Sequence, residues 1–210
     1  MSLQNEIQNP SGIKNVIFDF GQVLVSFEPE LMCKEHVSDP EDVRLLCDKL
    51  FARKYWDRLD AGAISDEELL ESVKREVPEH LHDACDRIYY GWIYVLPEIE
   101  GMREVIALCR EKGYGAYLLS NISHYFAEHE HEIPILSLLD GTVLSASVGA
   151  VKPSAEIFEH ITKKFDLTPC ETLFVDDNIN NVEGANKFGI VSYHFDGDAK
   201  KLYDFIRQLP

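Results

Sequence analysis

The sequence has little positive charge, with 20 lysine and arginine residues against 37 aspartate and glutamate residues and a formal net charge of −17. Nucleic acids and anionic membranes bind positive surfaces, so this balance argues against both as partners. A phosphorylated small substrate stays compatible with it, because the local charge of a pocket can oppose the charge of the whole molecule. An acidic chain also suits a site that holds a divalent cation.

Cysteine is scarce, and no two cysteines form a CxxC pair. Five scattered residues are typical of reduced thiols in a cytoplasmic protein, not of a disulfide framework or a zinc site: Cys33, Cys47, Cys85, Cys109 and Cys170. No apolar run approaches the roughly 18 residues of a membrane span, and the polar start Met1–Pro10 does not resemble a signal peptide. We therefore expect a cytoplasmic protein of one medium domain, or of a core with a smaller insert.

The main pattern in the sequence is an alternation of short apolar runs with segments of helical spacing. The runs at 16–18, 114–119, 142–146, 172–175 and 190–193 predict strands, and the segments between them show helical spacing. Strands separated by helices imply a parallel sheet with right-handed crossovers. The predicted fold class is α/β, a doubly wound Rossmann-like core of about five strands. The strand before Asp19 should be central, between the strands that precede Ser120 and Asp176.

Residues 28–95 contain only helical patterns. Asp39-Pro40 and the pair Ser65 and Glu68 are helix-start signals, the second a capping box. The expected organisation is a core of residues 1–27 and 96–210, which begins with a polar lead-in to residue 14, and an inserted helical cap of residues 28–95. The turn from Asp57 to Ser65, which joins two cap helices, should reach toward the core, which makes Asp57, Arg58 and Asp60 candidate specificity residues.

Polar residues follow four of the predicted core elements in succession. They are Asp19, the pair Ser120-Asn121, Lys152, and the pair Asp176-Asp177. Taken singly, each has an ordinary explanation, as a helix cap, a turn former, a surface lysine or an acidic turn. The carboxyl ends of parallel strands meet at one edge of a sheet, where such folds place their chemistry. The shared position therefore predicts one site.

Phosphoryl transfer is the chemistry that this set suits. Asp19 with one or both later carboxylates offers hard oxygen ligands for Mg²⁺, and a carboxylate can also attack phosphorus to form an aspartyl-phosphate. Lys152 would neutralise the remaining charge, while Ser120 Oγ and the amide of Asn121 would hold the phosphate oxygens. The expected cofactor is Mg²⁺ and the expected partner a small phosphorylated metabolite, bound by a monomer or homodimer.

These residues, in this order, resemble the four motifs of the haloacid dehalogenase superfamily. The first motif there is DxDGT followed by Val or Leu, and here it is Asp19-Phe20-Gly21-Gln22-Val23-Leu24. The second motif ends in Ser or Thr, the third is a Lys and the fourth is an acidic pair, which correspond to Ser120, Lys152 and Asp176-Asp177. The helical insert resembles the family's type 1 cap. The first motif is similar to that of small bacterial sugar-phosphate phosphatases.

The resemblance implies a role for each matched residue. Asp19 would be the nucleophile and a Mg²⁺ ligand, with the main-chain carbonyl of Gly21 and the carboxylate of Asp177 as further ligands. Asp176 would bind the cation directly or stand just behind the ligands, and Lys152 would act in both catalysis and phosphate binding. The implied reaction is hydrolysis of a sugar phosphate, such as a hexose 1-phosphate, through an aspartyl-phosphate.

Gly21 departs from the family pattern. Most phosphatases of the superfamily carry at this position an Asp that acts as general acid, a contribution typically worth about 10²- to 10⁴-fold. A slow enzyme or a different acid is implied, and a sugar 1-phosphate, which leaves easily, would suffer less. Glu28 is one replacement, although a solvated hinge residue is its simpler interpretation. A cap carboxylate such as Asp57 or Asp60 is another.

Two other functions stay open. The missing acid is also compatible with a binding or regulatory protein built on a weakened phosphatase scaffold. A dehalogenase, which attacks carbon without a metal, lacks this Asp as well. Such an enzyme has no use for Asp176-Asp177, because added anions without a cation only make the site more negative.

Overall fold

A five-stranded parallel sheet forms the centre of the molecule. The structure, a computed structural model, describes residues 12–210; residues 1–11, part of the predicted lead-in, lie outside them. The strands are β1 (Asn15–Phe18), β2 (Gly115–Ser120), β3 (Gly141–Leu144), β4 (Thr172–Asp176) and β5 (Val191–His194). Their order is β3-β2-β1-β4-β5. This confirms the predicted α/β class and the central place of the strand before Asp19.

The register brings the ends of three strands to one level. Phe18 pairs with Leu118 of β2 and with Val175 of β4. The next residue, Asp19, donates its backbone N–H to the carbonyl of Val175 at 2.9 Å. The residues that follow β1, β2 and β4 are therefore neighbours, as the switch in strand order on either side of β1 requires.

Both faces of the sheet are covered by helices, so apolar residues fill the middle of the central strands. Ile17 packs in one cluster with Phe158 and Phe174, whereas Val16 and Phe18 belong to the cluster on the other face. Five helices of the segment after β1 come first in the chain and are described next. The helices later in the chain are α6 (Met102–Glu111), α7 (His124–His129), α8 (Ser145–Val148), α9 (Ala155–Lys164), α10 (Ile179–Phe188) and α11 (Ala199–Gln208).

The segment between β1 and β2 is helical. It comprises α1 (Pro29–Lys34), α2 (Pro40–Leu50), α3 (Arg53–Asp60), α4 (Asp66–Lys74) and α5 (His82–Gly91), with short 3-10 turns at Glu79–Leu81 and Trp92–Tyr94. Both predicted start signals are confirmed: Asp39 caps α2, and Ser65 with Glu68 forms a capping box on α4. We call residues 29–94 the helical insert; its separation from the core as a cap domain stays a prediction.

One predicted strand is too long. Residues 142–146 were expected to be extended, but β3 ends at Leu144 and the chain turns into α8 at Ser145. The buried Ser145 hydroxyl accepts a hydrogen bond from Ile122 N–H at 2.8 Å and donates one to the Asp60 carbonyl at 2.6 Å. These contacts with residues far away in the chain stabilise the turn.

Trp56 and Trp92 join the insert to the core. Each lies in edge or stacked contact with neighbouring rings, Trp56 with Phe51 and Trp92 with Phe126 of α7. Both tryptophans also pack against Phe27 at the end of the link from β1. No helix within residues 12–210 has the length and apolar character needed to cross a bilayer.

Candidate active site

The four groups of polar residues predicted at strand ends meet in one cavity of about 500 Å³. Asp19 follows β1, Ser120 ends β2, Asp177 follows β4, and Lys152 precedes α9; all four line this cavity. Side chains of the helical insert close it from the other side. The structure therefore brings together the main residues that the sequence analysis singled out.

A buried lysine links two of the carboxylates. Lys152 Nζ lies 2.7 Å from Asp19 Oδ1 and 2.7 Å from Asp176 Oδ2, and its side chain is almost completely covered. Burial alone would lower the pKa of Lys152, but the two carboxylates more than offset it and hold the pKa above its usual value. Lys152 is therefore a permanent cation inside the site.

The carboxylates exceed the positive charge available to them. Burial raises the pKa of Asp19 to about 7, and the charge of Asp176 adds to the rise while Lys152 opposes it. The pKa of Asp177 is also raised, first by burial and then by Asp176. Three carboxylates face one ammonium group, so the site lacks positive charge.

The donor set fits a divalent cation. One oxygen each from Asp19, Asp176 and Asp177 lies within 4.8 Å of the others. Oxygen donors of this kind, few in number and open to water on one side, are what Mg²⁺ takes in proteins. Added positive charge would also correct the imbalance that raises the pKa of Asp19.

Asp176 is already engaged by protein donors. Its Oδ1 accepts from Asn178 N–H at 2.8 Å, and both oxygens accept from the Asn181 side-chain amide at 3.1 Å. Together with the ion pair to Lys152, these bonds use most of its lone pairs. Asp19 differs, because its Oδ1 accepts from Phe20 N–H and Lys152, while Oδ2 accepts no hydrogen bond from the described residues.

Asn121 and Ser120, the two residues of the second motif that were expected to bind phosphate, have different environments. The Asn121 side chain clamps the backbone of Lys152: its Oδ1 accepts from Lys152 N–H at 2.7 Å, and its Nδ2 donates to the Lys152 carbonyl at 3.0 Å. Only the main-chain amide of Asn121 is then left for a phosphate. Ser120 Oγ lies in the cavity and makes no hydrogen bond with the described residues.

Gly21 lines the cavity with its backbone alone. A Cβ atom built at Gly21 would meet nothing within 4 Å, and its φ lies outside the left-handed region. The absence of a side chain is therefore not imposed by crowding or by backbone strain. The place where most superfamily phosphatases carry their acid is open space here.

The helical insert contributes five residues to the lining of the cavity, four from α3 and one from the 3-10 turn that follows α5. Arg53, Trp56, Asp57 and Asp60 line the cavity, as does Trp92. Arg58 and Glu28, two other predicted candidates, are exposed and lie outside its lining. Arg53 pairs with Asp57 at 2.8 Å.

Asp60 is the buried carboxyl group of the insert. It is only 9% exposed, and its Oδ1 is covered without any hydrogen-bond partner among the described residues. Burial raises the pKa of Asp60 to about 7, with Arg53 opposing the rise. Trp92 Nε1 is a second covered atom without a partner in the lining of the same cavity.

The sequence analysis missed Arg53 and Trp92, which line the cavity, and Ser145, which lies behind it and bonds Ile122 and Asp60. Arg53 begins an ordinary surface helix, and Trp92 belongs to an aromatic run typical of core packing. Ser145 lay within a predicted strand. Only Arg53 had a signal in the sequence. It stands four residues before the candidate residue Asp57, and residues at this spacing lie on the same face of a helix.

Comparisons with known proteins agree with this geometry. A family model described as haloacid dehalogenase-like hydrolase matches residues 13–189, most of the chain. D-ribitol-5-phosphate phosphatase of Bacteroides thetaiotaomicron is 28% identical over 197 residues, covering 86% of this chain and 91% of that protein. Sesquiterpene phosphatase astK of Aspergillus oryzae is 27% identical over 187 residues, covering 86% of this chain and 89% of that protein.

Solved structures share the fold. The magnesium complex of the HAD family enzyme bt-2542 from Bacteroides thetaiotaomicron superposes with a TM-score of 0.65 at 24% identity. The match covers 87% of this chain and 93% of that one, so it includes both the sheet and the helical insert.

Proposed function

Because this chain belongs to the haloacid dehalogenase-like hydrolase family, we propose that it hydrolyses phosphate monoesters of small metabolites in a Mg²⁺-dependent reaction through a phospho-Asp19 intermediate. The observation that carries the proposal is the meeting of Asp19, Lys152 and Asp177 in one cavity. The curated relatives named above are phosphatases, which supports the same class of reaction.

The free oxygen of Asp19 is the nucleophile. Oδ1 is held by Lys152 and by Phe20 N–H, so Oδ2 is the atom that attacks phosphorus. Ser120 Oγ donates to a phosphate oxygen, and the Lys152 ammonium offsets part of the charge. A Mg²⁺ ion held at this site would supply positive charge that offsets the repulsion between the anionic nucleophile and the phosphate. Asp19, Asp177 and the Gly21 carbonyl would hold it.

The substrate is a small polar phosphate ester. A cavity of about 500 Å³ lies in the range of small-metabolite sites. The insert residues Asp57 and Asp60 would contact the leaving group, and Arg58 could reach it only if α3 moved. A hexose 1-phosphate stays the sequence-based candidate. A pentitol 5-phosphate is a second, suggested by the named activity of the Bacteroides relative.

Asp19→Asn tests the mechanism. The substitution keeps size and shape but removes the nucleophile, so kcat should fall by roughly 10⁴-fold or more. The assay is phosphate release from a panel of sugar and polyol phosphates with Mg²⁺, with Glu183→Gln, an exposed residue of α10, as the matched control. Acid-quenched wild-type enzyme should carry covalent phosphate. A wild-type rate in Asp19→Asn would rule out this role.

Two alternatives give different results in the same assays. A binding protein, favoured only by the missing side chain at Gly21, would bind phosphate and Mg²⁺ but hydrolyse none of the panel, activated aryl phosphates included. A dehalogenase would release halide from 2-haloacids without metal. The acidic cluster opposes the dehalogenase, which uses no cation. The presence of Asp19, Ser120 and Lys152 together with this cluster opposes the binding protein, because a scaffold without catalysis has no need to retain them all.

We further propose a cytoplasmic monomer or homodimer. All five cysteines are free thiols, including the pair Cys33 and Cys47, whose sulfur atoms lie 3.6 Å apart without a bond. Free thiols of this kind fit a reducing compartment. Sedimentation analysis would measure the oligomeric state.

A further inference from the structure

The missing side chain at Gly21 leaves the proposed reaction without its usual proton donor. A sugar alkoxide is a poor leaving group, so hydrolysis of an ordinary ester needs an acid near the ester oxygen. Among the described residues that line the cavity, four carry a carboxyl group and none is a histidine, cysteine, tyrosine or glutamate. They are Asp19, Asp57, Asp60 and Asp177. This inference rests on the proposed function, in which Asp19 and Asp177 already have other roles.

Asp57 and Asp60 differ in environment although they are three residues apart. The Asp57 side chain is 57% exposed and ion-paired with Arg53 at 2.8 Å. Asp60 is covered, and its Oδ1 has no partner among the described residues. Burial favours the neutral form of a carboxyl group, and it raises the pKa of Asp60 to about 7 although the charges of Arg53 and Lys152 oppose the rise.

Asp60 is held in place over the phosphate-binding end of β2. Its backbone carbonyl accepts from Ser145 Oγ at 2.6 Å, and Ser145 Oγ accepts from Ile122 N–H at 2.8 Å. Ile122 stands two residues after Ser120. One buried hydroxyl thus ties the end of α3 directly to the loop that would hold the phosphate.

Gly62 allows this close approach. Its φ is +67°, and a Cβ atom there would lie 3.3 Å from the carbonyl oxygen of Ala146 in α8. The turn after Asp60 therefore packs its backbone against the core. The backbone of Asp60 is accordingly fixed next to the site, and its buried carboxyl group does not have to swing in from solvent.

We propose that Asp60 is the general acid and base of this enzyme. When Asp19 Oδ2 forms its bond to phosphorus, the ester P–O bond breaks and the leaving oxygen takes the proton of the Asp60 carboxyl group. The alcohol departs and Asp60 is left ionised. Asp60 then accepts a proton from the water that attacks phospho-Asp19, which releases inorganic phosphate and restores the protonated Asp60.

The test is the dependence of kcat/KM on the leaving group. This constant covers the steps up to departure of the alcohol, so it reports the acid directly. Asp60→Asn should lower kcat/KM for alkyl phosphates by about 10²- to 10⁴-fold. It should change kcat/KM for 2,4-dinitrophenyl phosphate only a few-fold, because that leaving group needs no proton. With this substrate the variant should also show a burst of dinitrophenolate, since water attack loses its base.

The matched control is Asp57→Asn, which removes the other insert carboxylate of the cavity. It can change KM, but its ratio of alkyl to dinitrophenyl kcat/KM should equal that of the wild type. Gly21→Asp in the Asp60→Asn background adds an acid where space is open. This double variant should recover alkyl ester hydrolysis by about tenfold or more.

Three results would overturn the inference. If Asp60→Asn lowers kcat/KM equally for all esters, the residue acts in packing or binding. If it leaves kcat/KM of both ester classes at the wild-type value, the residue gives no proton. The same ratio change in Asp57→Asn would make the effect one of general charge. Wild-type enzyme that hydrolyses neither ester class overturns the proposed function itself, a result distinct from the other three.

Discussion

Charge balance at single residues decides how the site works. Lys152 binds Asp19 through one oxygen and leaves the other free, while Asp176 is held by Lys152 and Asn181 on both oxygens. A buried ammonium with two carboxylates is costly to assemble but strongly destabilising to break. We therefore expect Asp176 mainly to orient the lysine, and Asp177, which has fewer protein partners, to be the freer carboxylate for a cation.

Burial of Asp60 makes the fold sensitive to pH. The pKa of Asp60 is about 7 in the folded protein against an ordinary 3.8, so between these values the unfolded chain loses a proton that the folded chain retains. The free energy of unfolding should fall as pH rises through this window and level off above pH 7. Asp60→Asn does not titrate, so between pH 5.5 and 8 its stability relative to wild type should rise by about 2 kcal/mol.

Urea unfolding at the two pH values measures this difference. Asp57→Asn is the control, because it removes a neighbouring carboxylate but keeps Asp60, so most of the pH dependence of the wild type should remain. Equal pH dependence in wild type and Asp60→Asn would mean that Asp60 is ionised in the folded protein. The same burial that keeps the proposed acid protonated thus lowers stability at the pH where it works.

At the scale of elements, the Asn121 clamp joins β2 to the segment that carries Lys152. Asn121→Ala leaves the Lys152 N–H and carbonyl without partners, which should cost about 1–3 kcal/mol of unfolding free energy. Lys152 is then less well fixed, so kcat should fall about tenfold or more while KM changes less. Urea unfolding and steady-state kinetics measure the two effects.

Asn186→Ala on the exposed face of α10 is the control for this prediction, with both quantities close to wild type. A loss of stability in Asn121→Ala without any loss of kcat would show that the clamp supports only the fold. Rescue of kcat by Asn121→Gln is not expected, because a longer side chain cannot make both bonds with the same geometry.

Strand ends and helix starts could be predicted from the sequence because local pattern determines them. The apolar runs placed β1, β2 and β4 next to one another, and so Asp19, Ser120 and Asp177 could be grouped before any coordinates. Contacts between distant elements carry no such pattern. The bridge of Ser145 to Asp60 spans 85 positions and shortened a predicted strand, and the direction of the Asn121 side chain depends on a residue 31 positions away.

The burial of Asp60 at the end of α3 could not be predicted from the sequence either. Asp57, Arg58 and Asp60 have the same polar character in the sequence, but only Asp60 is buried, next to the turn in which Gly62 packs on α8. The register of one helix against the core thus decides which of the two acids that line the cavity is buried. Local propensity gives the helix α3 but not its rotation about its own axis.

At the scale of the whole molecule, a net charge of −17 means that any cation stabilises the fold to some degree. Self-repulsion opposes the compact state, and salt screens it. A stabilising effect of Mg²⁺ is therefore no proof of a site unless screening is separated from binding. The acidic cluster of Asp19, Asp176 and Asp177 predicts that the two effects can be separated.

Mg²⁺ at 100 times its dissociation constant should stabilise the folded protein by about 2.7 kcal/mol beyond the effect of NaCl at equal ionic strength. The reason is that the proposed cation ligands, Asp19 and Asp177 among them, are brought together only by folding, whereas screening acts on the charge of the whole surface. Asp177→Asn should lose this excess, because it removes the carboxylate with the fewest protein partners. Glu183→Gln changes the net charge equally but lies on the exposed face of α10, so it should keep the excess. Thermal unfolding of the three proteins in the two salts makes the comparison, and an equal excess in Asp177→Asn would move the cation away from this site.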